Sequence, residues 1–440
     1  MDIKKTPINQ EVVSRKIKES KLPNIGKASI RELLKVVNQI EEETGKKFIR
    51  MEMGVPGLEA VKIGVDAEIE ALKKGVASKY VNIEGIPEFK YETQRFIKLF
   101  LNIDVDKNSC IPSVGSTSGS FAAFMTLGNM SEKPYKHLFI DPGFPVHKQQ
   151  LRALNLNFDS FDVYDYRGDK LRDKLESHLS KGEITSILYS NPNNPSWICF
   201  TEKELKIIGE LANKYNVIVM EDLAYFGMDF RKDYSIPGEP PYQPTVANYT
   251  DNYILLISSS KAFSYAGQRL GALIVSDKIF NTVSPVLKKS YNSDIFGQAL
   301  IYGSLYAINA GTAHSPQYAI SAIFKAVNDK KYNYRESVLE YAERAKIMKK
   351  LFTDNGFNIV YDKDEDELIA DGFYFTFSYP GFLGEELVEE LLYYGISGIS
   401  LAITGSSRKE GLRACVSLVH KNQFPDLKYR LEKFMENHPL

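Results

Sequence analysis

Short apolar runs without polar alternation recur along this chain: HLFI (137–140), TSILYS (185–190), NVIVMED (216–222), YILLISSS (253–260) and GALIVS (271–276). A strand that is apolar on both faces must be covered on both faces, which a mainly parallel sheet flanked by helices achieves. Between the second and third runs lies TEKELKIIGELANKYN, where Thr201 and Glu204 form an expected capping box. Its length suits a single crossover helix, so this region reads as a βαβ unit of an α/β fold.

Other segments read differently. Ser29 and Glu32 predict a second capping box, opening the amphipathic helix IRELLKVVNQIEEETG, which Gly45 ends. From about residue 316 one long helical stretch is expected, followed by GFYFTFSY and LRACVSLV, which alternate like half-exposed strands of a separate α+β domain. The proline-rich piece at 235–245 reads as an excursion loop.

Composition narrows the partners. With 55 basic and 56 acidic residues the net charge is −1, so no global field points to nucleic acid or an anionic membrane. The N-terminal stretch lacks the apolar core of a secretory signal, and no run approaches the roughly 18 apolar residues of a membrane span. Three scattered cysteines and six unclustered histidines offer neither a disulfide framework nor a metal site. The expectation is a cytoplasmic protein recognising a small molecule, with no metal.

The chemistry centres on SSSKAFSYAGQRLG. Lys261 follows an apolar strand, where partial desolvation favours the neutral, nucleophilic amine. Ser258 and Ser260 offer hydroxyls, Arg269 a planar fork for phosphate oxygens, and Gly267 and Gly271 are expected to permit close backbone approach. An aldehyde carrying a phosphate fits such a site. GSTSGS (115–120) reads as a glycine-rich turn opening a helix, with Ser116 and Thr117 as phosphate-cradle candidates. No GxGxxG follows a strand, which argues against a nicotinamide or flavin site.

Three further strand ends carry candidates. Asp222 closes NVIVMED and can keep a pyridine nitrogen protonated, and Tyr225 follows three residues later. NPNNP (191–195) contains Asn194, a donor for a ring oxygen. Phe144, in DPGFPVH, can stack on a flat heterocycle, with His147 reaching Asp222 from behind. Arg413, Cys415 and Ser417 share one face of the last strand by its period of two.

From about residue 49 to the C-terminus the chain resembles the class I/II aminotransferases, pyridoxal-phosphate enzymes of fold type I. Ser258, Ser260, Lys261, Gly267, Arg269 and Gly271 match the family's lysine motif, from which Ser259 and Tyr265 depart. The resemblance implies an internal aldimine on Lys261, with Asp222 partnering the pyridine nitrogen and Tyr225 and Asn194 as ring-oxygen donors. Ser116 and Thr117 match the phosphate loop, Phe144 the stacking aromatic, and His147 the histidine behind the aspartate. Arg413 is similar to the α-carboxylate arginine, Gly54 lies in the counterpart of the substrate-covering segment, and Tyr80 resembles the tyrosine that reaches the neighbouring subunit's phosphate. A homodimer with shared active sites follows. The family's NPTG is NPSW here, with Trp197 at the usual glycine.

The architecture implied is a large domain (56–328) with a mainly parallel seven-stranded sheet, plus a small α+β domain (329–440) joined by the N-terminal segment (1–55). The activity implied is ping-pong transamination between an L-amino acid and a 2-oxo acid. A lyase or synthase on the same scaffold, and a ligand-sensing regulator, are the alternatives. Dicarboxylate-preferring members often use a second arginine from the partner, and the corresponding region, LKKSYNSD, offers only Lys288 and Lys289. Aspartate is therefore not favoured over neutral or aromatic amino acids.

Overall fold

The computed structural model describes residues 5–132 and 135–440. The chain divides into two compact units. The larger comprises Leu58–Asn193 and Cys199–Val338; the smaller takes the chain up to Gly57, the short segment Asn194–Ile198, and Leu339–Leu440.

A seven-stranded sheet forms the centre of the larger unit: β1 (Cys110–Ser113), β2 (Lys136–Asp141), β3 (Asn157–Asp162), β4 (Ile184–Ser190), β5 (Ile218–Leu223), β6 (Tyr253–Ser258) and β7 (Gly271–Val275), in the order β1-β7-β6-β5-β4-β2-β3. Strands β3, β2, β4, β5 and β6 pair in parallel, and β7 runs antiparallel to both β6 and β1. The sheet is thus mainly parallel, as its unbroken apolar runs require. Met220, Ile254, Leu256 and Leu273 are fully buried in its core.

The crossover from β4 to β5 is the helix Glu202–Tyr215, opened by the Thr201/Glu204 capping box. Glu204 also receives the Arg167 guanidinium through two bonds of 2.7 and 2.8 Å, a buried bidentate pair that anchors the helix start. The glycine-rich string expected as a turn is instead the first turns of the helix Gly115–Gly128. Gly115, at φ 67°, makes the bend from β1 into the helix, so no separate turn is needed.

In the smaller unit, β8 (Asn358–Ile359), β9 (Tyr374–Ser378), β10 (Ile399–Ser400) and β11 (Leu412–Cys415) form an antiparallel sheet ordered β10-β11-β9-β8. The N-terminal helix Ile30–Thr44 has its Ser29/Glu32 capping box and ends at Gly45, at φ 65°. Ile49–Arg50 then pairs in parallel with Ile396–Ser397.

Several sequence expectations change. Strands β9 and β11 are buried on both faces, not half-exposed. Phe375 and Phe377 pack on Phe352 of the helix Glu340–Asp354, while Tyr374 on the other face meets Trp197. The long helical stretch breaks into His314–Asn328, Tyr334–Val338 and Glu340–Asp354. The smaller unit resumes at Leu339, later than residue 329, because buried Tyr334 lies among Phe100, Phe226 and Phe263 of the larger unit.

Leu256 lies on a central strand with no exposed surface. Leu256→Ala should lower stability by about 2–5 kcal/mol. Urea unfolding followed by circular dichroism checks this; an unchanged midpoint would refute the packing described.

Candidate functional site

Register brings the larger unit's candidates together. Asp222 on β5 stands opposite Ser190 on β4 and Leu256 on β6, while Gly271 stands opposite Ser258 on one side and Ser113 on the other. The parallel strand ends therefore fall along one edge, where open α/β sheets bind ligands. A Cβ on Gly271 would come within 2.7 Å of the Ser116 amide nitrogen and 2.8 Å of the Ile257 carbonyl oxygen, so only glycine lets the helix start approach β6. Gly267 has no such role, because a Cβ there meets nothing within 4 Å.

Ser116 and Thr117 lie in the first turn of Gly115–Gly128, where backbone N–H groups have no intrahelical acceptor and no side chain caps them. The Arg269 guanidinium lies over Gly115, with Nη2 within 2.5 Å of where a Cβ would be. Its Nη1 donates to the Ala266 carbonyl at 2.8 Å and lies 3.5 Å from Ser260 Oγ. Ser258 Oγ accepts the Ser260 N–H at 3.1 Å. Amides at a helix N-terminus beside an arginine and two serines have the chemistry to hold a phosphate.

Half-buried Lys261 follows on the same loop. The two departures from the family motif stitch that loop together. Ser259 Oγ donates to the Leu270 carbonyl at 2.6 Å, the Tyr265 N–H donates to the Ser259 carbonyl at 3.1 Å, and the Tyr265 hydroxyl donates to Glu68 at 2.7 Å.

Asp222 is 5% exposed; burial pushes its carboxyl up to about 7, opposed only by the Ala224 amide that donates to it at 3.1 Å. His147 Nε2 is 3.8 Å away, and burial pulls that imidazole down to about 4, so near neutrality it is uncharged. Among the described residues the carboxylate therefore has no full counter-charge, which a protonated pyridine nitrogen would supply. Phe144 caps the helix Pro145–Ala153, its ring perpendicular to that of His147 at 5.6 Å. Tyr225 is buried just beyond β5. Helix-start amides, amine, aromatic ring and desolvated carboxylate, all within one unit, are the donor set that pyridoxal phosphate would fit.

Glu221, which the sequence reading did not single out, supports this edge. Buried and raised to about 7 by its burial, it accepts from Thr245 Oγ1 at 2.5 Å and from Asn191 at 3.4 Å. It thereby ties the NPNNP turn to the end of the proline-rich loop. Tyr80 is fully exposed.

Gly54, Asn194 and Arg413 belong to the smaller unit. Arg413, 2% exposed, donates from Nη1 to Asn194 Oδ1 at 3.1 Å and from Nη2 to the Glu52 carbonyl at 2.7 Å. Its guanidinium stacks on the Tyr374 ring at 4.5 Å, whose hydroxyl occupies the space where Gly54 would carry a Cβ. Tyr374 was missed because the register pairing Thr376 with Arg413, which makes Tyr374 its diagonal neighbour, is not written in either strand. Among the described residues no cluster is placed to hold a metal ion, and no helix is long and apolar enough to cross a membrane.

Residues 46–365 match the family described as aminotransferase class I and II. A probable aspartate aminotransferase of Methanocaldococcus jannaschii is 25% identical over 260 residues, covering 59% of this chain and 64% of that protein, just under two thirds of its length. A (5-formylfuran-3-yl)methyl phosphate transaminase of the same archaeon is 25% identical over 421 residues, 94% of this chain and 98% of that one. Among solved structures, aspartate aminotransferase of Thermotoga maritima superposes with TM-score 0.73 at 17% identity, covering 96% of this chain and 99% of its own. At that identity the likeness is one of fold.

The folded chain keeps the Asp222 proton to about pH 7, whereas an ordinary aspartyl carboxyl, near 3.8, releases it earlier. In that window the folded state binds more protons, so this group's contribution to stability falls as pH rises. His147, lowered from 6.5 to about 4 by its burial, acts in the opposite sense, and the comparison with the variant removes the part of that effect the two proteins share. In cofactor-free protein, the stability of wild type relative to Asp222→Asn should decline from pH 4 to 7. Urea titrations at four pH values test this, and a pH-independent difference would contradict it.

Proposed function

Because the chain belongs to the aminotransferase class I and II family, we propose that it is a pyridoxal-phosphate-dependent aminotransferase, moving an amino group between an L-amino acid and a 2-oxo acid in two half-reactions. The observation that carries this reading is the desolvated Asp222 carboxylate on the strand adjoining the one that leads into Lys261. Pyridoxal phosphate, when bound, supplies an aldehyde that takes up the substrate nitrogen and a cationic ring that withdraws electrons from the α-carbon.

The chain's own residues do the rest. Ser116, Thr117, Ser258, Ser260 and Arg269 bind the phosphate, and Phe144 stacks on the ring. Asp222, backed by His147, holds a proton on the ring nitrogen, while Tyr225 and Asn194 donate to the ring oxygen. The amine of Lys261 would take the proton from the substrate α-carbon as general base and give it back as general acid. Arg413 grips the α-carboxylate beside the segment around Gly54. The second half-reaction reuses each of these groups in reverse.

A neutral or aromatic amino acid is the proposed donor. Lys288 is already paired with Asp294 at 2.9 Å and Lys289 with Glu132, both on the surface. The active form proposed is a homodimer, in which exposed Tyr80 reaches the partner's phosphate; the exposed Ile69 and Leu72 on the helix Lys62–Lys73 support a covered face there. The three cysteines are buried thiols, which accords with a cytoplasmic location.

Borohydride reduction should fix the cofactor covalently to wild type and not to Lys261→Ala; a labelled variant chain would refute the lysine assignment. Adding amino acids singly should bleach the visible absorption with the true donor, and a matching 2-oxo acid should restore it. Release of ammonia and pyruvate without any acceptor would instead identify the lyase alternative. Arg413→Ala should reduce kcat/KM at least about 30-fold, as expected for truncating a buried charged contact. Unchanged kcat/KM for every amino acid would remove Arg413 from its role.

A further inference from the structure

Trp197 is the chain's only tryptophan, and it sits at φ 65°, in the left-handed region that a side chain other than glycine occupies at a cost of about 1–2 kcal/mol. Such strain persists only where the surroundings over-determine it. Here the indole is completely buried and rests on Gly372, where a Cβ would come within 2.2 Å of three indole atoms. The indole and the Tyr374 ring meet at 6.0 Å and 72°, and the Arg413 guanidinium lies over the Tyr374 ring at 4.5 Å.

Arg413 itself is unusual for a buried cation. Among the described residues no carboxylate pairs with it, its Nε has no hydrogen-bond partner, and its two bonds go to the neutral oxygens of Asn194 and Glu52. Two of its five N–H donors are thus used. The segment Asn194–Ile198 holds this side chain twice: directly through Asn194, and through the rings of Trp197 and Tyr374.

We propose that Trp197, acting through Tyr374, is a positioning residue for carboxylate recognition. The indole fixes the tyrosine ring, and the ring face fixes the plane of the guanidinium. The remaining N–H donors then meet a substrate carboxylate without reorganisation. The inference rests on the reading of Arg413 given above. It assigns the replacement of the family glycine by Trp197, together with the absence of a side chain at Gly372, to substrate affinity rather than to a change of reaction.

The test uses the cofactor-loaded protein and 3-phenylpropanoate, a carboxylate that cannot react. Tyr374→Leu, Trp197→Phe and Gly372→Ala should each raise its inhibition constant and the donor KM, by about 3- to 30-fold for the lost cation–π geometry, with kcat within twofold of wild type. Tyr374→Phe, which keeps the ring, should restore the wild-type constant. In unaltered protein, Trp197 emission should change saturably with a midpoint equal to that inhibition constant, a readout that needs no variant to fold. No emission change, a Tyr374→Leu constant within twofold of wild type, or equal losses in kcat and affinity would each overturn the inference. Arg413→Lys separates the two readings. If it leaves the inhibition constant unchanged, the carboxylate role of Arg413 falls; if it weakens binding while the ring variants do not, only the positioning role falls.

Discussion

Parallel pairing of β5 with β6 is the constraint on which the larger unit depends. It sets Asp222 opposite Leu256, one strand spacing of about 4.8 Å from the strand that runs through Ser258 into the lysine loop. Parallel strands must be apolar on both faces, and that packing buries Met220, Ile254 and Leu256. The same packing desolvates what projects at the strand end. Burial raises Asp222 and lowers His147, so the interactions that stabilise the sheet also prepare a carboxylate that needs a cation.

Close approach is the second constraint. The helix Gly115–Gly128 brings its first-turn amides against β6 only because Gly271 has no side chain, and Arg269 lies over Gly115 because Gly115 has none. Around Lys261, Ser259 and Tyr265 differ from the family pattern yet make the bonds that hold the loop, to Leu270 and Glu68. They are alternative local solutions to one requirement, a lysine kept on a rigid turn.

In the smaller unit a different balance holds. Burying a guanidinium without a carboxylate leaves part of its desolvation cost uncompensated. Tyr374 offsets some of it through its ring face, and the oxygens of Asn194 and Glu52 offset more. What remains favours an anionic ligand. The strained backbone of Trp197 shows how firmly that arrangement is held.

Interactions spanning a few residues were legible in the sequence. Both capping boxes close over three residues, the unbroken apolar runs specify doubly covered strands, and the lysine loop follows directly from one such run. Alternation in GFYFTFSY predicts half-exposure, yet a polar period records which residues share a face and not what covers it. Gly267 and Gly271 look alike in the motif, yet only Gly271 has backbone against it. Tyr374 beneath Arg413, Trp197 on Gly372 and Glu68 on Tyr265 join residues far apart in the chain. The sequence by itself determined the α/β class and which residue types carry the chemistry, since both rest on local periodicity and short hydrogen-bonded motifs. Only tertiary structure decided which of those side chains meet and how far each is desolvated, because strand register and burial arise from the whole chain packing at once.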